Sequence, residues 1–143
     1  GSAIEFRIEM EQGLEVEADS EQLFRVLYNL SRNAVEALRA DLETEASLVR
    51  RVTISAARQG SVVEIHVADT GPGMPEKARE NLFQPFRGSA RSGGTGLGLA
   101  IARELVIAHG GTIALADSAS HGTTFRIELP DQPLPISNYR ALA

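Results

Sequence analysis

Apolar residues recur at every second position at Ile4, Phe6 and Ile8, and again at Leu14, Val16 and Ala18 after Gly13. Alternation of this kind predicts half-buried strands, and the intervening glycine predicts that the two form a hairpin. The period then changes. Leu23, Val26, Leu27, Leu30, Ala34 and Leu38 fall at three- and four-residue spacing, the pattern of a helix with one apolar face. Asp19 or Ser20 is placed to cap it, with Glu21 or Gln22 reaching back. The charged run from 41 to 51 reads as a helix extension or a surface connection.

Alternation returns at Val52, Ile54 and Ala56 and at Val63, Ile65 and Val67, two strands joined through Gln59-Gly60. The second strand ends in Asp69, where DTGPGMP breaks the pattern. Pro75 suits the first turn of a short helix over 75–82. Residues 83–96 carry Gly, Ser, Pro and Arg with little periodicity and predict a mobile loop. A helix from Leu97 to His109 stops at Gly110-Gly111, two strands follow over 112–117 and 123–129, and Pro130 ends the pattern. The tail 131–143 has no period and predicts a linker.

Consecutive strand pairs imply hairpins, so the sheet should be mixed or mainly antiparallel, with helices on one face. That is an α/β (α+β) two-layer sandwich, and not the strict strand–helix alternation of a doubly wound nucleotide fold. The chain has 143 residues and reads as one domain over 4–130, with residues 1–3 as a tag remnant and start. Its net charge of −5 and lack of any basic run argue against nucleic acid. The absence of cysteine excludes disulfides and thiolate chemistry. No stretch is long and apolar enough to span a bilayer.

Three segments carry candidate chemistry. Gly94, Gly96 and Gly98 strip side chains from a loop running into a helix, a geometry that lets backbone N–H groups approach an anion. No Walker phosphate loop is present. Asn29 and Asn33 stand four apart, so both amides project from one helix face beside the apolar stripe. They are either a polar anchor or oxygen donors to hydrated Mg²⁺ and phosphate, an ion that needs few protein oxygens when a nucleotide supplies the rest. Asp69, at the end of a buried strand, is either a turn anchor or the acceptor for an exocyclic amine such as that of adenine. On the second reading Gly71 and Gly73 keep a flat base unobstructed and Met74 packs on its face. His66, His109 and His121 read as structural, with His109 placed where a charge suits the helix dipole.

Taken together, NLSRNAVEA at 29–37 of the first helix, DTGPGM at 69–74 and GGTGLGLA at 93–100 resemble the N box and the two glycine boxes of the sensor histidine kinase catalytic domain. Leu82-Phe83-Gln84-Pro85-Phe86 is similar to its F box, and Gly122-Thr123-Thr124-Phe125 to its last strand motif. The resemblance runs from about Asp19 to Pro130 and implies the Bergerat (GHKL) ATP-binding fold. It implies ATP and Mg²⁺ as ligands, with Asn33 on the metal and Asn29 beside it or the phosphates. It further implies Asp69 on the adenine amino group with Gly71, Gly73 and Met74 around the base. Thr95, Gly96, Leu97 and Gly98 would offer backbone N–H groups to the phosphates, and Thr123 would sit near the adenine. Residues 74–94 would be the ATP lid, in which Arg87 or Arg91 supplies a cation to the γ-phosphate.

Two departures mark the chain. Many relatives have Lys and Tyr where Glu36 and Ala37 stand, and Glu36 is placed to pair with Arg32. Asn29 stands where gyrase-like members resemble one another in having a water-activating glutamate, and an amide cannot act as a general base. The resemblance therefore implies a kinase that transfers the γ-phosphoryl group to a histidine of a dimerisation domain absent from this chain, for two-component signalling through a response regulator. Alternatives within the fold are a serine kinase of the anti-sigma-factor type, an ATPase acting as a conformational clamp, and a degenerate nucleotide-binding adaptor. The implied setting is cytoplasmic, without direct membrane contact, the fragment itself monomeric.

Overall fold

The computed structural model describes residues 3–40, 50–85, 97–119 and 122–130. The elements are β1 (Glu5–Met10), α1 (Ser20–Ala40), β2 (Arg51–Gln59), β3 (Val62–Asp69), α2 (Glu76–Glu80), α3 (Gly98–Ala108), β4 (Thr112–Ala119) and β5 (Gly122–Pro130). The strands form one open sheet in the order β1-β2-β3-β5-β4. β1 runs parallel to β2, and all other neighbours are antiparallel. The mixed sheet and the two-layer architecture are those expected from the strand pairs.

The expected N-terminal hairpin does not form. Residues 11–19 form no strand; instead Leu14 and Val16 pack, partly buried, against the core. Gly13 turns the chain with φ 73°. A segment lying on a core alternates just as a strand does, so the pattern was right about burial and wrong about pairing. β1 finds its partner 46 residues away, with Glu5 facing Arg51, because α1 makes the crossover that a parallel pair requires.

α1 starts where Asp19 caps it: Asp19 Oδ1 accepts the Gln22 N–H at 2.9 Å, one of the donors a helix start leaves unpaired. Its apolar stripe, Val26, Leu30, Ala34, Ala37 and Leu38, is buried to within a few per cent. Opposite it lie Val52, Val63, Ile65 and Val67 from β2 and β3 and Phe125, Ile127 and Leu129 from β5. The strict alternation of buried positions along β3 and β5 makes the sheet one-sided. α3 completes the helical layer with Leu99, Ala102 and Val106. Pro75 stands just outside α2 as its N-cap, with ψ 150°, and not within its first turn.

Two glycines allow close approach of the backbone. A Cβ on Gly111 would lie 2.3 Å from the Glu128 carbonyl oxygen, so only glycine lets the α3–β4 turn reach β5. Gly110 before it adopts φ 77°, the left-handed stop expected after α3. The expected lid segment beyond 85 and the tail from 131 lie outside the described residues.

Candidate functional site

Asp69 ends β3 in the middle of the sheet, between Val52 of β2 and Thr123 of β5. It is buried, as is Thr123. The chain turns there on paired bonds: Asp69 Oδ1 accepts the Gly71 N–H at 2.8 Å, and Thr70 Oγ1 accepts the Arg51 N–H at 2.9 Å. Both readings of Asp69 thus have a physical basis in one side chain, since one oxygen anchors the turn and a carboxylate has capacity for further donors.

The glycines around it are required by the local backbone and packing. A Cβ on Gly71 would meet Asp69 Oδ1 at 3.0 Å and the side chains of Ala37 and Leu38 at 3.6 Å. Gly71 therefore makes room for the carboxylate and for α1. Gly73 is required by its φ of 82°. Met74, next to it, is buried in the main core. Gly122 was legible only as part of a motif; a Cβ there would lie 2.6 Å from the Asp69 carbonyl oxygen. It sets the distance between β5 and the end of β3.

α1 leads from this end of the sheet to the second half of the site. Ala37 and Leu38 touch Gly71, and Asn33 and Asn29 follow one and two turns back, both half-buried. At a rise of about 1.5 Å per residue, Asn29 and Ala37 are on the order of 12 Å apart along the helix. Asn29 Nδ2 donates to the Gly98 carbonyl oxygen at 3.2 Å. This bond fastens the middle of α1 to the start of α3. Leu97 and Gly98 form that start, with Leu97 as N-cap.

The described residues therefore bring Asn29 to Gly98, and Asp69 to Gly71, Gly122 and Thr123, on two ends of one helix face. Arg87, Arg91, Thr95 and Gly96 lie outside the described residues. Glu36 forms an ion pair with Arg32 at 3.7 Å, as the i, i+4 spacing suggested. Among the described residues no group of three or more His, Cys, Asp or Glu could hold a metal. The side-chain oxygens on this face belong to the two amides and to Glu36, hard donors of the kind that supplement phosphate and water around Mg²⁺. The donor set fits that ion.

Two of the three histidines lie among the described residues, and His121 lies outside them. His66 lies 3.4 Å from Glu64 on the outer sheet face. His109 does not act as a dipole partner: its Nε2 accepts the Asp19 N–H at 3.1 Å and its Nδ1 is 2.8 Å from the Leu105 carbonyl oxygen. Those two bonds use the Nδ1–H tautomer. The sequence offered no signal for this tie between the ends of α1 and α3.

Comparison with known proteins gives one answer. The family model for histidine kinase-, DNA gyrase B- and HSP90-like ATPases matches residues 18–133. The sensor protein FixL of Bradyrhizobium diazoefficiens is 36% identical over 128 residues, 89% of this chain and 24% of FixL. The chain thus spans about a quarter of that relative. Among solved structures, the nucleotide-free catalytic domain of histidine kinase ThkA superposes with a TM-score of 0.73 at 33% identity, covering 90% of this chain and 79% of that one. Full-length ShkA in complex with AMPPNP gives 0.73 at 29% identity, covering 94% and 27%. ThkA in complex with the response regulator TrrA gives 0.69 at 32% identity, covering 91% and 35%.

Proposed function

The chain belongs to the histidine kinase-, DNA gyrase B- and HSP90-like ATPase family, as an ATP-binding catalytic domain of the sensor histidine kinase type, and from that premise we propose how its own residues serve phosphoryl transfer. The adenine amino group donates to the carboxylate of Asp69, whose Oδ1 also accepts the Gly71 N–H. Thr123 and Met74 line the base. The phosphates run along α1 toward Gly98, where Leu97 and Gly98, with Thr95 and Gly96 before them, present backbone N–H groups. Asn33, with Asn29 beside it, would hold Mg²⁺, which when bound would supply positive charge beside the phosphates. Arg87 or Arg91 adds a cation at the γ-phosphate.

In this reading the acceptor is a histidine nitrogen of a dimerisation domain elsewhere in the parent protein. A response regulator then receives the phosphoryl group. The setting is cytoplasmic; no helix among the described residues is long and apolar enough to cross a membrane. The chain contributes positioning and electrostatic stabilisation for an in-line transfer. The observation that carries the kinase reading is Asn29. Its side chain donates to a backbone carbonyl at 3.2 Å, and an amide so occupied has no basic group to activate water. The γ-phosphate is therefore kept for a protein nucleophile.

Phosphate release from ATP by the chain alone tests this. Binding without sustained turnover is expected. Steady turnover that survives Asn29→Ala would replace the kinase by a clamp-type ATPase.

A further inference from the structure

The nucleotide site makes no use of β1, whose composition is odd for a sheet edge. In a parallel pair each residue's N–H and C=O point to one side, and the side alternates along the strand. The Glu5 N–H bonds the Arg50 carbonyl at 2.9 Å and the Glu11 N–H bonds that of Ala56 at 3.0 Å. Odd-numbered residues of β1 therefore serve β2. The N–H and C=O groups of Phe6, Ile8 and Met10 point off the edge.

The side chains of the same three residues stand level with Val52, Ile54 and Ala56 on the helix-bearing face. They are nevertheless 54%, 59% and 50% exposed. α1 lies over β3 and β2 and α3 reaches β4, so no helix roofs β1. On α1, Phe24 and Tyr28 stack with ring centroids 6.1 Å apart and are also exposed. A run of outward backbone groups and an apolar strip thus share one border of the molecule.

We propose that this border pairs with the same border of a second copy of the chain, β1 against β1, antiparallel and centred on Ile8. The charges select that register. Centred on Ile8, each Arg7 faces Glu9 of the second copy, Phe6 faces its Met10, and the two Ile8 residues oppose each other. Glu5 falls opposite Glu11, whose carboxylate is turned back to accept the Arg58 N–H at 3.0 Å. Phe6, Ile8 and Met10 are then the hydrogen-bonded positions, each exchanging both outward groups, and Arg7 and Glu9 sit at the closer, non-bonded positions where side chains interact most. Centred on Arg7, the same strands would set Arg7 against itself and Glu5 against Glu9. Centred on Phe6, Glu5 meets Arg7 but Met10 falls outside the overlap. The favoured register joins the two sheets into one, with both helical layers on one side and the apolar strips forming a shared floor. A seam of one strand pair belongs with the weak interfaces, below about 1,200 Å² of buried surface, so the dimer should depend on concentration. This departs from the monomer expected from the sequence.

Analytical ultracentrifugation of the whole chain across a concentration series, with circular dichroism to verify folding, tests the pairing. A reversible dimer is expected. Arg7→Glu and Glu9→Arg should each weaken it at least tenfold, and the double substitution, which restores opposite charges across the seam, should recover it. Amide exchange gives a second reading that needs no variant: protection at Phe6, Ile8 and Met10 should rise with concentration while Glu5, Arg7 and Glu9 stay protected throughout. A monomer at every concentration, with Phe6, Ile8 and Met10 exchanging freely, overturns the proposal and leaves the Glu-Arg-Glu alternation as a guard against pairing. A dimer indifferent to the charge variants overturns it equally.

Discussion

Asp69→Asn should separate the turn anchor of one side chain from the base contact proposed for it. Asp69 Oδ1 accepts the Gly71 N–H at 2.8 Å, and asparagine retains one oxygen for that bond. The turn, and the packing of Gly71 against Ala37 and Leu38, should survive. The second carboxylate oxygen becomes an NH₂ group, which presents a donor to the adenine amino donor. The site loses a hydrogen bond to a charged acceptor, worth about 1.5–3 kcal/mol, or about ten- to a hundredfold in Kd. Calorimetric titration with Mg-ATP should show that loss, while the melting temperature without nucleotide changes little. Guanine provides a sharper control, because it carries an acceptor oxygen where adenine carries the amino group. The variant should therefore discriminate less between ATP and GTP than the parent chain does. Unchanged ATP affinity with unchanged discrimination would refute the assignment of Asp69 to the base. A large fall in melting temperature would show that the anchor needs the charge as well as the oxygen.

Three further outcomes follow from contacts described above. Gly122→Ala places a methyl 2.6 Å from the Asp69 carbonyl oxygen and should destabilise the fold by about 1–3 kcal/mol, read by urea unfolding; an unchanged midpoint would mean that β5 shifts freely. Asn29→Ala removes the 3.2 Å bond to Gly98, which should cost about 1 kcal/mol of stability and weaken Mg-ATP binding in the same titration. If binding is untouched, Asn29 is a fastener alone. Hydrogen bonds from Arg51 and then Arg7 hold the Glu5 carboxyl below the usual carboxylate range. The stability this pairing contributes is present above the unfolded carboxylate value and is lost as pH falls through the lowered folded value. Glu5→Gln should flatten acid unfolding over that window, by a small amount because the group is exposed to solvent.

Periodicity made α1, β3 and β5 legible because each buries one face against a continuous core, and burial of that kind leaves a regular trace. The motif residues were legible for another reason: side-chain types such as paired asparagines and a strand-terminal aspartate are costly to bury without partners. The N-terminal hairpin failed where local pattern meets non-local choice. Leu14 and Val16 alternate because they lie on the core, and nothing within residues 4–18 states that β1 pairs with Arg51 and beyond. Gly71 and Gly122 were visible as glycines, but what each must avoid is set by Asp69 atoms brought near by folding. The Asp19–His109 tie was invisible, since it joins a backbone N–H to a ring 90 residues away.

That tie has a mechanical meaning. α1 and α3 are fastened twice, at Asp19–His109 and at Asn29–Gly98. The two fastenings are about 15 Å apart along α1. A pair of rods pinned at two separated points can neither slide nor pivot on each other. Any displacement imposed on Gly98 is therefore borne by the two helices as one rigid plate.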